Sequence, residues 1–65
     1  MIKYELDFSP LSSDEKSALA ERIDDHSCTG IHWESDFQSA IFFIEENFDI
    51  NLLNVPAECH LSRIS

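Results

Sequence analysis

The sequence predicts a small α+β protein: one domain over residues 1–65, with one main helix packed on a mostly antiparallel sheet of three or four strands. Two observations carry this prediction, namely short segments of alternating apolar and polar residues and a single helix-capping motif. The length adds a third, because a chain of 65 residues has room for one small core. With 43% hydrophobic and 11% aromatic residues, the chain is too apolar to be a disordered acidic tail.

The first strand and the helix are the clearest elements. Apolar residues occupy every second position from 2 to 8, which predicts a strand with one face on a core. Ser9-Pro10 ends this strand, and Ser12 and Glu15 have the spacing of a capping box. The box predicts a helix over residues 13–26. The apolar stripe of this helix comprises Leu11, Leu19, Ala20 and Ile23.

A hairpin is predicted next. Residues 31–34 alternate, with Ile31 and Trp33 directed inward, and residues 35–38 form the turn. In the strand predicted over residues 39–45, both faces are apolar. Such a strand is either central in the sheet or carries an exposed hydrophobic patch.

The last third of the chain is less regular. Residues 46–54 are predicted to be a loop with one helical turn that ends before Pro56. Residues 58–64 can form a final short strand. The resulting order, βαββ(α)β, is similar to a ferredoxin-like unit whose second helix is abbreviated.

The charge of the chain is strongly acidic. The chain contains thirteen Asp and Glu but only four Lys and Arg, which gives a net charge of −9. Such a surface repels nucleic-acid phosphates and anionic lipids, so we expect no direct binding to nucleic acid or membrane. A basic protein surface is the natural complement. We find no apolar run near the roughly 20 residues of a membrane span and no signal-peptide core, so we expect a cytoplasmic protein.

Five residues have side chains that commonly bind metals: His26, Cys28, His32, Cys59 and His60. Zinc sites usually contain ligand pairs such as Cys-x2-Cys or His-x3-5-His, and this set has no such first pair. We therefore predict no metal, no other cofactor and no disulfide, with both cysteines as partly buried free thiols.

Two features of the sequence bear on catalysis. His32-Trp33-Glu34 matches the His-x-Glu half of the nucleobase deaminase motif, but the required Pro-Cys-x-x-Cys half is missing. Cys28 follows Asp24 and Asp25 at the predicted helix C-terminus, where negative charge and the helix dipole raise a thiol pKa. We predict no catalytic residues and no enzymatic activity.

The carboxylates themselves form an arrangement. Asp14, Glu21 and Asp25 fall in one helical row over about 16 Å, and like charges at this spacing cost stability. Either this is only a solvated face, or the acids form a partner-binding surface. Rows of carboxylates can imitate the phosphates of a duplex. The predicted binding residues, called the acidic set below, are Asp14, Glu15, Glu21, Asp24, Asp25, Glu34, Asp36, Glu45, Glu46 and Asp49.

In size, charge and these acidic clusters, the chain resembles the small acidic inhibitors encoded by bacteriophages, of the anti-CRISPR and DNA-mimic class. The resemblance implies a non-enzymatic inhibitor in the cytoplasm of a host bacterial cell. It implies a monomer that binds a Lys/Arg-lined, DNA-binding subunit of a CRISPR effector complex, such as Cascade, and blocks target DNA binding.

A different class of function stays open. The chain is alternatively a structural or interaction module, or an immunity-type protein, that binds its partner through an apolar patch. The candidate patch residues are Trp33, Ile41, Phe43 and the segment 48–53.

Overall fold

The computed structural model describes residues 1–64. The elements in chain order are β1 (Ile2–Asp7), α1 (Ser13–His26), β2 (His32–Trp33), β3 (Ser39–Ile44), a 3-10 helix (Ile50–Leu53) and β4 (His60–Arg63).

The four strands form one antiparallel sheet in the order β2-β3-β1-β4. β1 and β2 are both antiparallel to β3, which lies between them, so they run parallel to each other and are joined through α1. This is the split β-α-β arrangement of ferredoxin-like folds. The second helix is reduced to the single 3-10 turn. The predicted α+β class and element order are confirmed.

The capping box positions α1 as predicted. The Glu15 N–H donates to the Ser12 hydroxyl (3.3 Å), and the Ser12 N–H donates to the Glu15 carboxylate (3.1 Å). Both bonds satisfy amide groups that have no partner within the helix. At the other end, the Ser27 N–H donates to the carbonyl of Asp24 (3.3 Å), and the helix stops.

The core lies between α1 and one face of the sheet. Its centre is apolar, with the rings of Phe8 and Phe42 fully buried. Two aromatic contacts extend the core: Tyr4 stacks on Phe42 at 5.8 Å between ring centroids, and Trp33 packs against Phe8 at 4.9 Å. The buried residues are Leu6, Phe8, Leu19, Ile23, Ala40, Phe42, Ile44, Leu53 and Cys59.

The cysteine predictions are confirmed only in part. Both are free thiols, and Cys59 is buried, but Cys28 is exposed rather than partly buried. Cys28 follows the last turn of α1, where its N–H donates to the carbonyl of Phe43 (2.9 Å). That bond ties the helix end to β3 and leaves the thiol at the surface.

Candidate partner-binding surface

The acidic set lies on the surface. Nine of its ten residues are exposed, and Glu34 is partly buried beside the β2–β3 turn. Each carboxylate is therefore available to solvent or to a partner.

Two of the four Lys and Arg side chains form hydrogen bonds within the fold. The Arg22 guanidinium donates to the carbonyls of Leu53 (2.7 Å) and Asn54 (3.3 Å), which holds α1 against the 3-10 helix. The Lys16 ammonium donates to the carbonyl of Phe37 and lies 5.3 Å from the centre of the Trp33 ring. These cations bind backbone and aromatic groups instead of carboxylates.

Almost none of the negative charge of the acidic set is neutralised by ion pairs. Across residues 1–64, the single ion pair joins the amino terminus to Glu46 (3.2 Å), and both groups are exposed. No Lys or Arg side chain in this part of the chain lies within 4.0 Å of an Asp or Glu carboxylate. The negative field is therefore a property of the folded surface and not only of the composition.

At one end of the molecule, the end of α1 meets the segment after β3. The Cys28 thiol lies 3.7 Å from the Glu45 carboxylate, and the His26 ring stacks on Phe48 with 4.9 Å between centroids. Asp24 and Asp25, in the last turn of α1, therefore lie at the same end of the molecule as the three acids of the segment after β3. These three acids are Glu45, Glu46 and Asp49.

A second concentration of charge lies at the opposite end. The contact between Lys16 and Phe37 brings the first turns of α1 to the β2–β3 turn, which carries Glu34 and Asp36. Glu15 belongs to this end. The acidic set is therefore divided between two ends, while the outward side of α1 carries Asp14 and Glu21.

The sheet has a second face that α1 does not cover. The strand register places Glu5 of β1 opposite Ile41 of β3 on one side and Ser62 of β4 on the other. Lys3 lies opposite Phe43 in the same way. Residues opposite each other in an antiparallel pair share a face. We call this surface the open face.

A shallow groove of about 440 Å³ lies at the end of the open face that is next to the β2–β3 turn. It adds two carboxylates, Glu5 and Asp7, to the residues expected to bind a partner. Sequence reasoning placed both on the outward side of β1 but left them out of the acidic set, although the alternation was the signal that could have included them. The groove is lined by Glu5, Asp7, Ser9, Asp36, Gln38, Ser39, His60 and Ser62.

Hydrogen bonds lower the pKa of two of the surface carboxyls. The Ser9 N–H donates to Asp7 (2.9 Å), and this bond, with the Ser9 hydroxyl, lowers the pKa of Asp7. The capping contacts from Ser12 lower the pKa of Glu15 in the same way. Hydrogen bonds to a carboxylate favour its charged form.

Both thiols have a raised pKa, which opposes nucleophilic chemistry at neutral pH. For Cys28 the main cause is desolvation, followed by the charge and hydrogen bond of Glu45. The predicted rise in the pKa of Cys28 is confirmed, but the carboxylate that contributes to it is Glu45 and not Asp24 or Asp25. For Cys59 the main cause is burial, followed by the charges of Glu58, Asp7 and Glu15.

The apolar patch of the alternative hypothesis is only partly assembled. Leu53 is buried and unavailable to a partner, while Trp33 is partly buried and lies on the core side of the sheet, away from Ile41 and Phe43. Ile41 and Phe43 lie together on the open face, and Leu52 is exposed.

The candidate metal ligands are not brought together. Among residues 1–64, no three His, Cys, Asp or Glu side chains are grouped so that they could hold a metal ion. Over the same range, no helix has the length and apolar character needed to cross a bilayer.

Comparison of the chain with protein-family models, with curated proteins and with solved structures finds no match in any of the three.

Proposed function

We propose that this protein is a non-enzymatic inhibitor that binds the basic surface of a nucleic-acid-binding protein and keeps DNA from that surface. The proposed partner is a DNA-binding subunit of a CRISPR effector complex such as Cascade. One observation carries the proposal: nine of the ten residues of the acidic set are exposed, and no Lys or Arg side chain within residues 1–64 forms an ion pair with the set.

The physical basis is competition for the same cations. A duplex presents one phosphate charge per about 1.7 Å of axis, and Lys and Arg side chains hold it in the partner's groove. A folded body of 30 × 23 × 18 Å with exposed carboxylates at two ends offers those cations another anion. Such competition requires no catalytic residue, cofactor or deep pocket.

Stability considerations support the same conclusion. Asp24 and Asp25 occupy the last turn of α1, where the helix dipole disfavours anions. Glu21 lies one turn before Asp25, so the two carboxylates repel each other. Solubility does not require acids at positions where they weaken the helix, whereas binding to a basic partner accounts for them.

The test is a displacement assay on a purified Cascade-type effector complex with a fluorescent target duplex. Increasing amounts of this protein are expected to release the duplex with a stoichiometry near one, and without altering effector or DNA covalently. Raising the salt from 50 to 200 mM should weaken the binding at least tenfold, because the contacts are between charges. Duplex binding that is unaffected by a large excess of the protein would contradict the proposal for this partner.

A second candidate function is binding through apolar surface, favoured by the position of Ile41 and Phe43 on the open face. It predicts a homodimer or a complex whose affinity changes little with salt. Sedimentation at high concentration, together with the salt series above, separates the two functions.

A further inference from the structure

The open face combines two kinds of surface that folding alone does not require. In an antiparallel sheet with one solvated face, outward residues are normally polar. Here β3 directs Ile41 and Phe43 outward, and both are partly exposed. On the neighbouring strand β1, Glu5 lies opposite Ile41 and Lys3 lies opposite Phe43. The apolar strip of β3 therefore runs next to outward β1 residues that are acidic toward the β2–β3 turn, at the roughly 4.8 Å separation of neighbouring strands.

The acidic residues of β1 line the groove at the end of the open face that is next to the β2–β3 turn. Asp36 joins Glu5 and Asp7 in its lining, with serine hydroxyls between them. The Ser9 N–H donates to the Asp7 carboxylate (2.9 Å), and this bond lowers the pKa of Asp7.

The β2–β3 turn also carries an exposed aromatic residue, Phe37. Phe37 is 63% exposed and has φ of 56°, a left-handed conformation that bulky residues rarely adopt. The conformation is held on both sides, because the Phe37 N–H donates to the backbone carbonyl of Glu34 (3.0 Å) and the Phe37 carbonyl accepts from the Lys16 ammonium. The fold thus presents to solvent an aromatic ring that it does not use for packing.

Building on the proposed function, we propose that the open face is the docking surface for a basic amphipathic segment of the partner. Arginine side chains of that segment enter the acidic groove, and its apolar side chains lie on Ile41 and Phe43. Charge complementarity selects this occupant: the groove carries three carboxylates, and the adjoining strip is apolar. Arginine suits the site because its planar guanidinium binds a carboxylate through two hydrogen bonds.

The test uses two helical peptides of equal charge. In the first, a stripe of arginines lies beside a stripe of leucines, and in the second every leucine is replaced by alanine. Titration into ¹⁵N-labelled protein is expected to shift the amide signals of β1, β3 and the β2–β3 turn, and the leucine peptide should bind at least tenfold tighter. Largest shifts on α1, or equal affinity for the two peptides, would overturn the proposal.

Matched variants separate this surface from general charge. One variant neutralises the groove, with Glu5→Gln, Asp7→Asn and Asp36→Asn, where the Asn side chains can still accept the Ser9 and Gln38 amides. The control variant neutralises three acids on α1 and has the same net charge of −6. It carries Asp14→Asn, Glu21→Gln and Asp25→Asn.

The groove variant should bind the leucine peptide at least tenfold more weakly than the unmodified protein. The helix variant should lose clearly less affinity, because its three acids act on this peptide only through long-range charge. A third variant, Ile41→Thr with Phe43→Thr, should remove the preference for leucine over alanine and leave the groove's attraction for arginine. Equal losses in the groove and helix variants would mean that net charge alone governs binding, which refutes the docking surface.

The displacement assay distinguishes failure of this inference from failure of the proposed function. If the protein releases DNA from the effector and the groove and Ile41/Phe43 variants release it equally well, the docking surface is wrong and the function stands. If the protein does not release DNA but the leucine peptide maps to the open face as described, the docking surface stands and the function is wrong.

Discussion

Reversing the two acids at the end of α1, Asp24→Lys with Asp25→Lys, is expected to make the protein more stable. Both residues are exposed in the last turn, where the partial negative charge of the helix end repels anions and attracts cations. The reversal also converts the repulsion between Glu21 and residue 25 into an attractive pair four residues apart. The folded state should therefore gain stability relative to the unfolded chain.

The size of the gain follows from these contacts. Each removed anion and each added cation contributes about 0.3 kcal/mol at an exposed helix end, the lower limit for such sites. The Glu21 contact adds a few tenths of a kcal/mol. The total is about 1.5 kcal/mol in the free energy of unfolding at low salt. For a domain of this size, that corresponds to a rise in Tm of about 6–12 °C.

Thermal unfolding followed by circular dichroism measures this gain at low salt and at 1 M salt. The control is Glu45→Lys with Glu58→Lys, which changes the net charge equally, from −9 to −5, but lies outside the helix and leaves the ion pair of the amino terminus intact. The helix variant should gain clearly more than the control, and most of its gain should vanish at 1 M salt, where the Debye length is about 3 Å. A Tm that is unchanged, or equal gains in both variants, would refute the reasoning.

The remaining predictions concern the fold and its titration. Ser12→Ala removes the cap of α1 and should lower the free energy of unfolding by about 1 kcal/mol, measured by urea denaturation. Phe42→Ala removes a fully buried ring and should cost about 3–5 kcal/mol in the same assay. Phe37→Gly should raise Tm, because glycine relieves the left-handed conformation, which costs a bulky residue about 1–2 kcal/mol. The lowered pKa values of Asp7 and Glu15 add stability above their ordinary values of 3.8 and 4.5, and this contribution should be lost as pH falls below that range. Carboxyl NMR titration should show the pKa of Glu15 returning toward its ordinary value in Ser12→Ala.

The fold was predictable where local chemistry and pattern agree. Strict alternation defined β1, and the capping box of Ser12 and Glu15 defined the start of α1. β2 is shorter than its alternation predicted, because only His32 and Trp33 pair with β3. The order of the strands in the sheet depends on long-range packing, which residue spacing along the chain does not determine.

The candidate surface was predictable only in part. Exposure of the acidic set follows from its polarity, but its division between two ends depends on how α1 crosses the sheet. Phe37 was assigned to a turn from sequence, and nothing in its pattern indicated a left-handed conformation held by Lys16. The groove combines residues from β1, β4 and the β2–β3 turn, so it exists only in the folded chain.

The most direct test of the central claim, that uncompensated carboxylates occupy a basic DNA-binding surface, is the salt dependence of DNA displacement from a Cascade-type effector. The claim predicts that the logarithm of the affinity falls linearly with the logarithm of salt concentration, and that the slope becomes shallower in the groove variant. An affinity that does not change with salt, or a protein that binds the effector and leaves its DNA in place, would contradict the claim.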